Sequence, residues 1–270
     1  MTTTAAAAIP AWTASRLRSW LSVRHSLRSE AAAVLALYGL YELARGLVVG
    51  DTAEAHRHGL QLVALERSLH LFLEGKVQHA ANALPGLAGL LGVAYLTLHL
   101  AVTAVVLLWL HQRRPSAFPF VRTTLLVASA LALVGFLAYP TAPPRLAGIG
   151  IADTVSSGHV NLNHGLVSSL YNPYAAVQSM HVGYALIVAT SLLRYGRRRL
   201  VRSLAAVYPA FVLLVVVATG NHFLLDAAAG ALVAALAFAA ASLLTQAAAT
   251  NAPIALPARD ALPSSEELAA

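Results

Sequence analysis

Residues 220–230 read "GNHFLLDAAAG", and they open an apolar run that continues to about residue 245. A run of this length is sufficient for a helix that crosses a bilayer, because a span needs about 20 mostly apolar residues. Two polar side chains, His222 and Asp226, nevertheless stand at its start. Ionisable groups inside a membrane span are costly, and they usually pair or carry a function. The stretch therefore predicts a membrane helix with a polar site at one end.

The composition of the whole chain indicates an integral membrane protein. Its 270 residues are 58% hydrophobic and 11% charged, whereas a soluble domain carries roughly 25% charged residues. The mean hydropathy is +0.68. The chain contains no cysteine, which excludes disulfides and a thiolate nucleophile. The net charge of +7 comes mostly from arginines between apolar segments, which indicates membrane topology rather than a nucleic-acid partner.

The chain is predicted to have three parts. Residues 1–30 form a basic, amphipathic cytoplasmic N-terminus, in which 16–29 are expected to be an interfacial helix. Residues 31–246 form the membrane domain, and 247–270 form a disordered cytoplasmic tail that is rich in alanine and proline.

The membrane domain is predicted to be an all-α, polytopic bundle of six transmembrane helices. The mixed stretch 56–82 contains several charged residues, Glu66 and Glu74 among them, and is interpreted as an amphipathic or re-entrant helix outside the bundle. The six predicted spans are 31–49, 87–110, 121–139, 179–195, 201–219 and 222–245.

Basic residues set the orientation of these spans. Arginines concentrate in the N-terminal segment and around 113–122 and 194–202, and the positive-inside rule places those segments in the cytoplasm. The 50–86 and 140–178 loops then face outward. The fourth and sixth spans begin on that side, where free N–H groups and the positive end of the helix dipole suit an anion. We therefore expect an active site at the non-cytoplasmic face of the membrane, with the plasma membrane as the predicted location.

The candidate site is built around His222 and Asp226, which lie at i and i+4 on one helix face. A carboxylate that holds one ring nitrogen of a histidine makes the other a better nucleophile or base. His181 lies in the first turn of the fourth span and becomes a candidate general acid, and Ser179 offers a capping or phosphate-binding hydroxyl. The alternative is that His222 and Asp226 are a buried pair that merely links helices. The two histidines, the aspartate and Arg145 of the outward loop together suit phosphoryl transfer.

Three motifs carry a resemblance to a known family: "YPTAPPRL" (139–146), "NPYAAVQSMHV" (172–182) and "GNHFLLDAAAG" (220–230). They resemble the outward motifs of the type-2 phosphatidic acid phosphatase superfamily, in particular the branch typified by fungal inositol phosphorylceramide synthases. The resemblance covers roughly residues 35–245. It implies a six-helix bundle in which His222 forms a phosphohistidine, Asp226 orients it and His181 protonates the departing alkoxide. The implied activity is metal-independent hydrolysis or transfer of a lipid phosphate, such as an inositol-phosphate head group.

The sequence departs from the phosphatase pattern at the expected phosphate-binding residues. Leu107 stands where the lysine of a Lys…Arg-Pro motif would lie, Val216 where an arginine is usual, and Gln178 where a proline precedes the serine. These departures favour the transferase-like branch. Phosphate binding is then assigned to Arg145, with Ser179 and backbone amides. The remaining predicted substrate-binding residues are Asn221, Tyr95, His99 and Tyr174.

Other functions are weighed against this prediction. Histidines in the outward loops have irregular spacing and no accompanying carboxylate cluster, so we predict no metal site and no cofactor. A small transporter or proton relay would also use intramembrane His and Asp, although no internal repeat is visible. A non-catalytic member of the fold is the third possibility. The expected partner is a membrane lipid, either a phospholipid or a prenyl phosphate, and the sequence indicates no protein partner.

Overall fold

The structure is a computed structural model that describes residues 20–21, 23–47, 52–155 and 178–250, without the side chains of 45–47 and 247–250. Within these ranges the regular elements are helices, which confirms the predicted all-α class. They are α1 (Leu27–Leu47), α2 (Thr52–Ser68), α3 (Glu74–Asn82), α4 (Leu87–Arg113), α5 (Phe118–Ala138), α6 (Met180–Tyr195), α7 (Arg199–Ala218) and α8 (Leu224–Thr250), with a 3-10 turn at Pro144–Leu146.

Four of the described helices, α4, α5, α7 and α8, are long and apolar enough to cross a membrane. They correspond to four of the six predicted spans. The other two predicted spans correspond to α1 and α6. Helix α1 carries four charged residues, Arg28, Glu30, Glu42 and Arg45. Helix α6 has 16 residues, which makes it about 24 Å long against a hydrocarbon core of about 30 Å.

Helix α8 packs against both α5 and α6. Its buried face includes small side chains such as Ala237 and Ala241, which let neighbouring helices approach closely. A Cβ added at Gly183 of α6 would lie 3.1 Å from the carbonyl oxygen of Gly230 in α8, and one added at Gly230 would overlap the carbonyl oxygen of Ser179. The first turns of α6 and α8 therefore lie side by side. We call this end of the bundle the site end and the opposite end the far end.

Helices α2 and α3 pack onto the site end, which corrects the prediction of one helix outside the bundle over 56–82. Helix α3 packs against α4 and α7, and α2 contacts α8. A short turn separates them, in which His70 adopts a φ of 57°. Glu66 and Glu74, which the sequence presents as polar interruptions, are fully buried, each with 0% exposure.

The far end is closed by the N-terminal segment. Residues 24–26 are not helical, so the helix expected over 16–29 is interrupted before α1 begins. Arg122 of α5 donates to the carbonyl oxygen of Trp20 at 2.7 Å and forms a buried ion pair with Glu30 at 2.5 Å. These bonds fix the start of α1 to the start of α5.

Candidate active site

The turn between α7 and α8 positions His222. Helix α7 ends at Ala218, and Gly220 follows with a φ of 68°, a backbone conformation that favours glycine. The N–H groups of Asn221 and His222 both donate to the carbonyl oxygen of Val216, at 3.1 and 3.3 Å. The backbone of the turn is therefore fixed by its own hydrogen bonds, and His222 enters α8 from a defined direction.

Asp226, in the first turn of α8, both caps the helix and faces His222. Its Oδ2 accepts the N–H of Phe223 at 2.9 Å, and the same oxygen lies 3.5 Å from Nδ1 of His222. Asp226 is 1% and His222 6% exposed. The structure thus brings the predicted pair together, and a reaction at His222 would use its other ring nitrogen, Nε2.

His181 is held next to His222 by the contact between α6 and α8. The N–H of Ser179 donates to the carbonyl oxygen of Asp226 at 2.9 Å, which ties the start of α6 to the first turn of α8. The ring centroids of His181 and His222 are 5.7 Å apart. All three residues of the predicted His-His-Asp set therefore lie together at the site end.

Helix α4 contributes the other wall of this histidine cluster. The ring of His181 stacks on Tyr95 with centroids 4.4 Å apart, and the ring of His99 lies 4.0 Å from it. Nε2 of His181 lies 3.2 Å from the carbonyl oxygen of Tyr95. Because a carbonyl only accepts, this contact places a proton on Nε2. Tyr95 and His99 thus both contact the candidate general acid.

Arg145 lies in the 3-10 turn and is buried against the segment that precedes α8. Its Nε donates to Oδ1 of Asn221 at 2.9 Å, and its Nη1 pairs with Asp153 at 2.9 Å. Its backbone N–H donates to the carbonyl oxygen of Gly220 at 3.0 Å. The amide nitrogen of Asn221 donates within its own turn, so Asn221 acts on the site through Arg145. The guanidinium therefore lies beside the residue that precedes His222.

Ser179 and Tyr174 have different outcomes. Ser179 is the N-cap residue of α6, but its side chain does not cap the helix. Its Oγ is buried and has no hydrogen-bond partner among the described residues. A hydroxyl beside the first N–H groups of a helix suits an anion. Tyr174 lies outside the described residues, so its predicted role stays a prediction.

The start of α8 does not offer free N–H groups to an anion, which corrects that expectation. The N–H of Leu224 donates to Oε1 of Glu74 at 3.0 Å, and the N–H of Leu225 donates to Oε1 of Glu66 at 2.7 Å. Asp226 caps the residue before them. An anion approaching this helix end would meet three carboxyl groups. Of the two helix starts, that of α6 is the one without a side-chain cap.

Sequence reasoning missed Glu66 and Glu74 as parts of the site end. Both acids are visible in the sequence as charged residues of an amphipathic stretch. Glutamates in such a stretch ordinarily face water, so the pattern did not indicate that they are buried. Burial, together with a hydrogen bond to Glu74, raises the pKa of Glu66 to about 8. Among the described residues, no group of three or more His, Asp or Glu side chains is arranged to hold a metal ion.

Comparison with known proteins identifies the family. A family model described as the PAP2 superfamily matches residues 60–240, a range that contains α3 to α7, the 3-10 turn and both histidines of the site. The predicted superfamily is thereby confirmed. A search among curated proteins and a search among solved structures each found no match.

Proposed function

Because the chain belongs to the PAP2 superfamily, whose members are phosphatases and phosphotransferases of phosphate esters, we propose that it acts on a lipid phosphate through a phosphohistidine. One observation carries the proposal, the arrangement of three side chains at one end of an apolar bundle. Nδ1 of His222 lies 3.5 Å from Oδ2 of Asp226, and the ring centroids of His222 and His181 are 5.7 Å apart. A nucleophile with an orienting carboxylate and a nearby acid is the set that covalent phosphoryl transfer needs.

In the first half of the proposed reaction, Nε2 of His222 attacks phosphorus. An N–P bond forms, and the P–O bond to the lipid alcohol breaks. His181 gives the Nδ1 proton of its imidazolium to the departing alkoxide, while the carbonyl oxygen of Tyr95 holds its Nε2–H. Asp226 stabilises the positive charge that develops on the ring of His222.

In the second half, water or an alcohol attacks the phosphohistidine. His181 takes the proton of the attacking hydroxyl, an O–P bond forms and the N–P bond breaks. Water releases inorganic phosphate when the substrate is a monoester and the head-group phosphate when it is a diester, and an alcohol yields a new phosphate ester. The negative charge on the phosphoryl oxygens is met by Arg145 and by the first turn of α6 with Ser179.

Transfer to an alcohol, in the manner of an inositol-phosphate transferase, is the finer proposal. Val216 supports it: this residue stands where the phosphatase pattern has an arginine, and it is fully buried in the packing of α7. Its carbonyl oxygen accepts hydrogen bonds from the N–H groups of Asn221 and His222. The phosphate would therefore be held by a different set of groups from that of the phosphatase pattern.

The proposed membrane arrangement has six spans, with both termini in the cytoplasm and the site end at the outer face of the plasma membrane. In the described residues, α1 and α4 to α8 run alternately between the far end and the site end. Arginines gather at the far end, around 113–122 and 194–202, which supports a cytoplasmic far end. A single-cysteine variant at the exposed residue 82 of the site end or 113 of the far end, labelled in intact cells, tests which end is outside.

The direct test uses the full chain purified in detergent with a chelator. Short-chain phosphatidate and an inositol phospholipid with an alcohol acceptor serve as substrates, and phosphate release and head-group transfer are both followed. We expect His222→Ala to lower turnover by about 10³-fold or more, and His181→Ala to lower it strongly. His79→Ala is the matched control, since His79 is an exposed histidine of α3. Wild-type turnover in His222→Ala would contradict the mechanism.

A proton relay is the second candidate, and the row of His99, His181 and His222 is the observation that favours it. Successive ring centroids in this row are 4.0 and 5.7 Å apart. The row lies at one end of the bundle rather than near the midplane, where transporter sites usually lie. Proton flux into proteoliposomes without any phosphate-ester turnover would favour the relay over the enzyme.

A further inference from the structure

The first turn of α8 is held by two carboxyl groups from other helices. Oε1 of Glu66 in α2 accepts the N–H of Leu225, and Oε1 of Glu74 in α3 accepts the N–H of Leu224, at 2.7 and 3.0 Å. Helix N-termini attract carboxylates, both through these N–H groups and through the helix dipole. Two such caps from separate helices are unusual, because one carboxyl group already compensates much of the dipole. The second therefore needs its own explanation.

The two carboxyl groups cap neighbouring N–H groups of the same turn, and their remaining oxygens lack a donor. Oε2 of Glu66 and Oε2 of Glu74 are buried, and neither meets a donor among the described residues. Their Oε1 atoms accept from consecutive N–H groups of α8, and a hydrogen bond between the two side chains, which raises the pKa of Glu66, requires a proton because two ionised carboxylates offer no donor. The other titratable groups here are Asp226, whose charge acts on Glu66, and His222, which pairs with Asp226. A single proton between the Oε2 atoms satisfies both oxygens.

We propose that Glu66 and Glu74 share one proton and act as positioning residues that fix the first turn of α8, and through it His222 and Asp226. The activity readout of this proposal rests on the proposed function, whereas its structural readouts do not. The hydrogen bonds fix residues 224 and 225, which lie between the histidine and the aspartate along the chain. A displaced first turn would separate Nδ1 of His222 from Oδ2 of Asp226.

Glutamine substitutions distinguish a shared proton from simple packing. In Glu66→Gln, the amide oxygen accepts from Leu225 and the amide N–H₂ donates to Glu74, which reproduces the protonated pair. In Glu74→Gln, the amide oxygen accepts from Leu224 and the amide N–H₂ donates to Glu66. In the double variant both oxygens are used by α8, so two N–H₂ groups face each other without an acceptor. The double variant is therefore expected to be worse than either single one.

The pH dependence gives a second, independent readout. The pKa of Glu66 is about 8 in the folded chain and 4.5 ordinarily, so folding takes up a proton between these values. The contribution of Glu66 to stability is then fully present below about pH 4.5 and is lost as the pH rises through about 8. Glu66→Gln removes this titration, and its Tm should therefore fall less over that window. Glu54→Gln is the control, because Glu54 is an acid of the same helix whose side chain is 43% exposed.

The experiment measures kcat, KM, Tm and amide exchange of the 224–225 segment for each full-length variant between pH 5 and pH 9. We expect Glu66→Ala to lower kcat by about tenfold or more, as a misplaced nucleophile does, and to speed exchange at Leu224 and Leu225. Glu66→Gln should keep most of the activity and retain it to higher pH than the wild type. The double glutamine variant should resemble Glu66→Ala.

The proposal is overturned if Glu66→Gln is as damaging as Glu66→Ala, if the double variant matches the singles, or if the Tm profiles of Glu66→Gln and wild type run parallel. A wild type that turns over no phosphate ester would instead contradict the proposed function. In that case amide exchange and the Tm profiles still test the pair, so the two failures are distinguishable.

Discussion

Two buried arginines, one at each end of the bundle, have similar surroundings and different positions. Arg122 at the far end is 1% exposed and pairs with Glu30. Arg145 at the site end has a fully buried side chain and pairs with Asp153 at 2.9 Å. Each also bonds to further polar groups, so neither burial nor an acidic partner separates them.

The partners of the two arginines differ in what they hold. Arg122 also stacks over the ring of Trp20, 4.0 Å from its centroid, and so holds the N-terminal segment to α5. Arg145 bonds to Asn221, the residue before His222. A buried ion pair is weak evidence for function on its own, because it also serves structure. What distinguishes the two arginines is that Arg145 is bonded to the residue next to His222, whereas Arg122 is bonded to the N-terminal segment.

Within the comparison of the two ends, the largest expected effect on activity comes from Arg145→Lys. Lysine keeps the charge but cannot bond to Asn221 and Asp153 in the planar geometry of guanidinium. We expect kcat/KM for a lipid phosphate to fall by about 10²-fold or more, the usual effect of losing a charge-stabilising donor. Kinetics of the purified protein, with Tm measured alongside, give the result.

Arg122→Lys is the matched control for this first prediction. It changes the same residue type at an equally buried position, but it lies far from the histidines. Equal losses of kcat/KM in Arg145→Lys and Arg122→Lys would show that the difference between the two ends is not functional.

The second effect tests the close contact between α6 and α8. In Gly230→Ala the new Cβ overlaps the carbonyl oxygen of Ser179, so the start of α6 must move and carry His181 with it. We expect a loss of kcat of roughly tenfold to a hundredfold, the scale of a small misplacement of catalytic groups. Gly89→Ala, in the first turn of α4, meets nothing within 4 Å and should stay active and slightly more stable. Equal activity of the two variants would contradict the proposed placement of His181.

The long spans and the pairing of His222 with Asp226 could be predicted from the sequence, because both depend on the pattern of residues within one helix. An apolar run of about 20 residues specifies a spanning helix, and an i, i+4 spacing places His222 and Asp226 on one face. The 56–82 stretch could not be assigned in the same way. Whether Glu66 and Glu74 are solvated or buried depends on the N–H groups of α8, which lie about 150 residues later in the chain.

The N-terminal segment shows the same limit from the other end. Its basic, amphipathic pattern predicts an interfacial helix, and a pattern of that kind contains no information about a distant partner. Arg24 instead donates to the carbonyl oxygen of His111 at 3.0 Å, and Trp20 covers Arg122. Tertiary hydrogen bonds therefore replace the helix over 24–26. Local periodicity predicts elements, whereas buried polar contacts between distant segments need the fold.

The smallest expected effect on activity, and a large one on stability, comes from Arg122→Met. Removing one partner of a buried ion pair leaves Glu30 without its counter-charge, and such changes cost about 3–5 kcal/mol. The free energy of unfolding, measured by denaturant titration in detergent, should fall by that amount, while kcat/KM of the folded fraction stays at the wild-type value. Arg122→Met combined with Glu30→Leu should recover much of the stability, because the pair is then replaced by apolar groups. A fall in kcat/KM that persists in the stabilised double variant would mean that changes at the far end affect the histidines. The bonds of Arg122, which join it to Trp20, Val23 and Glu30, predict no such effect.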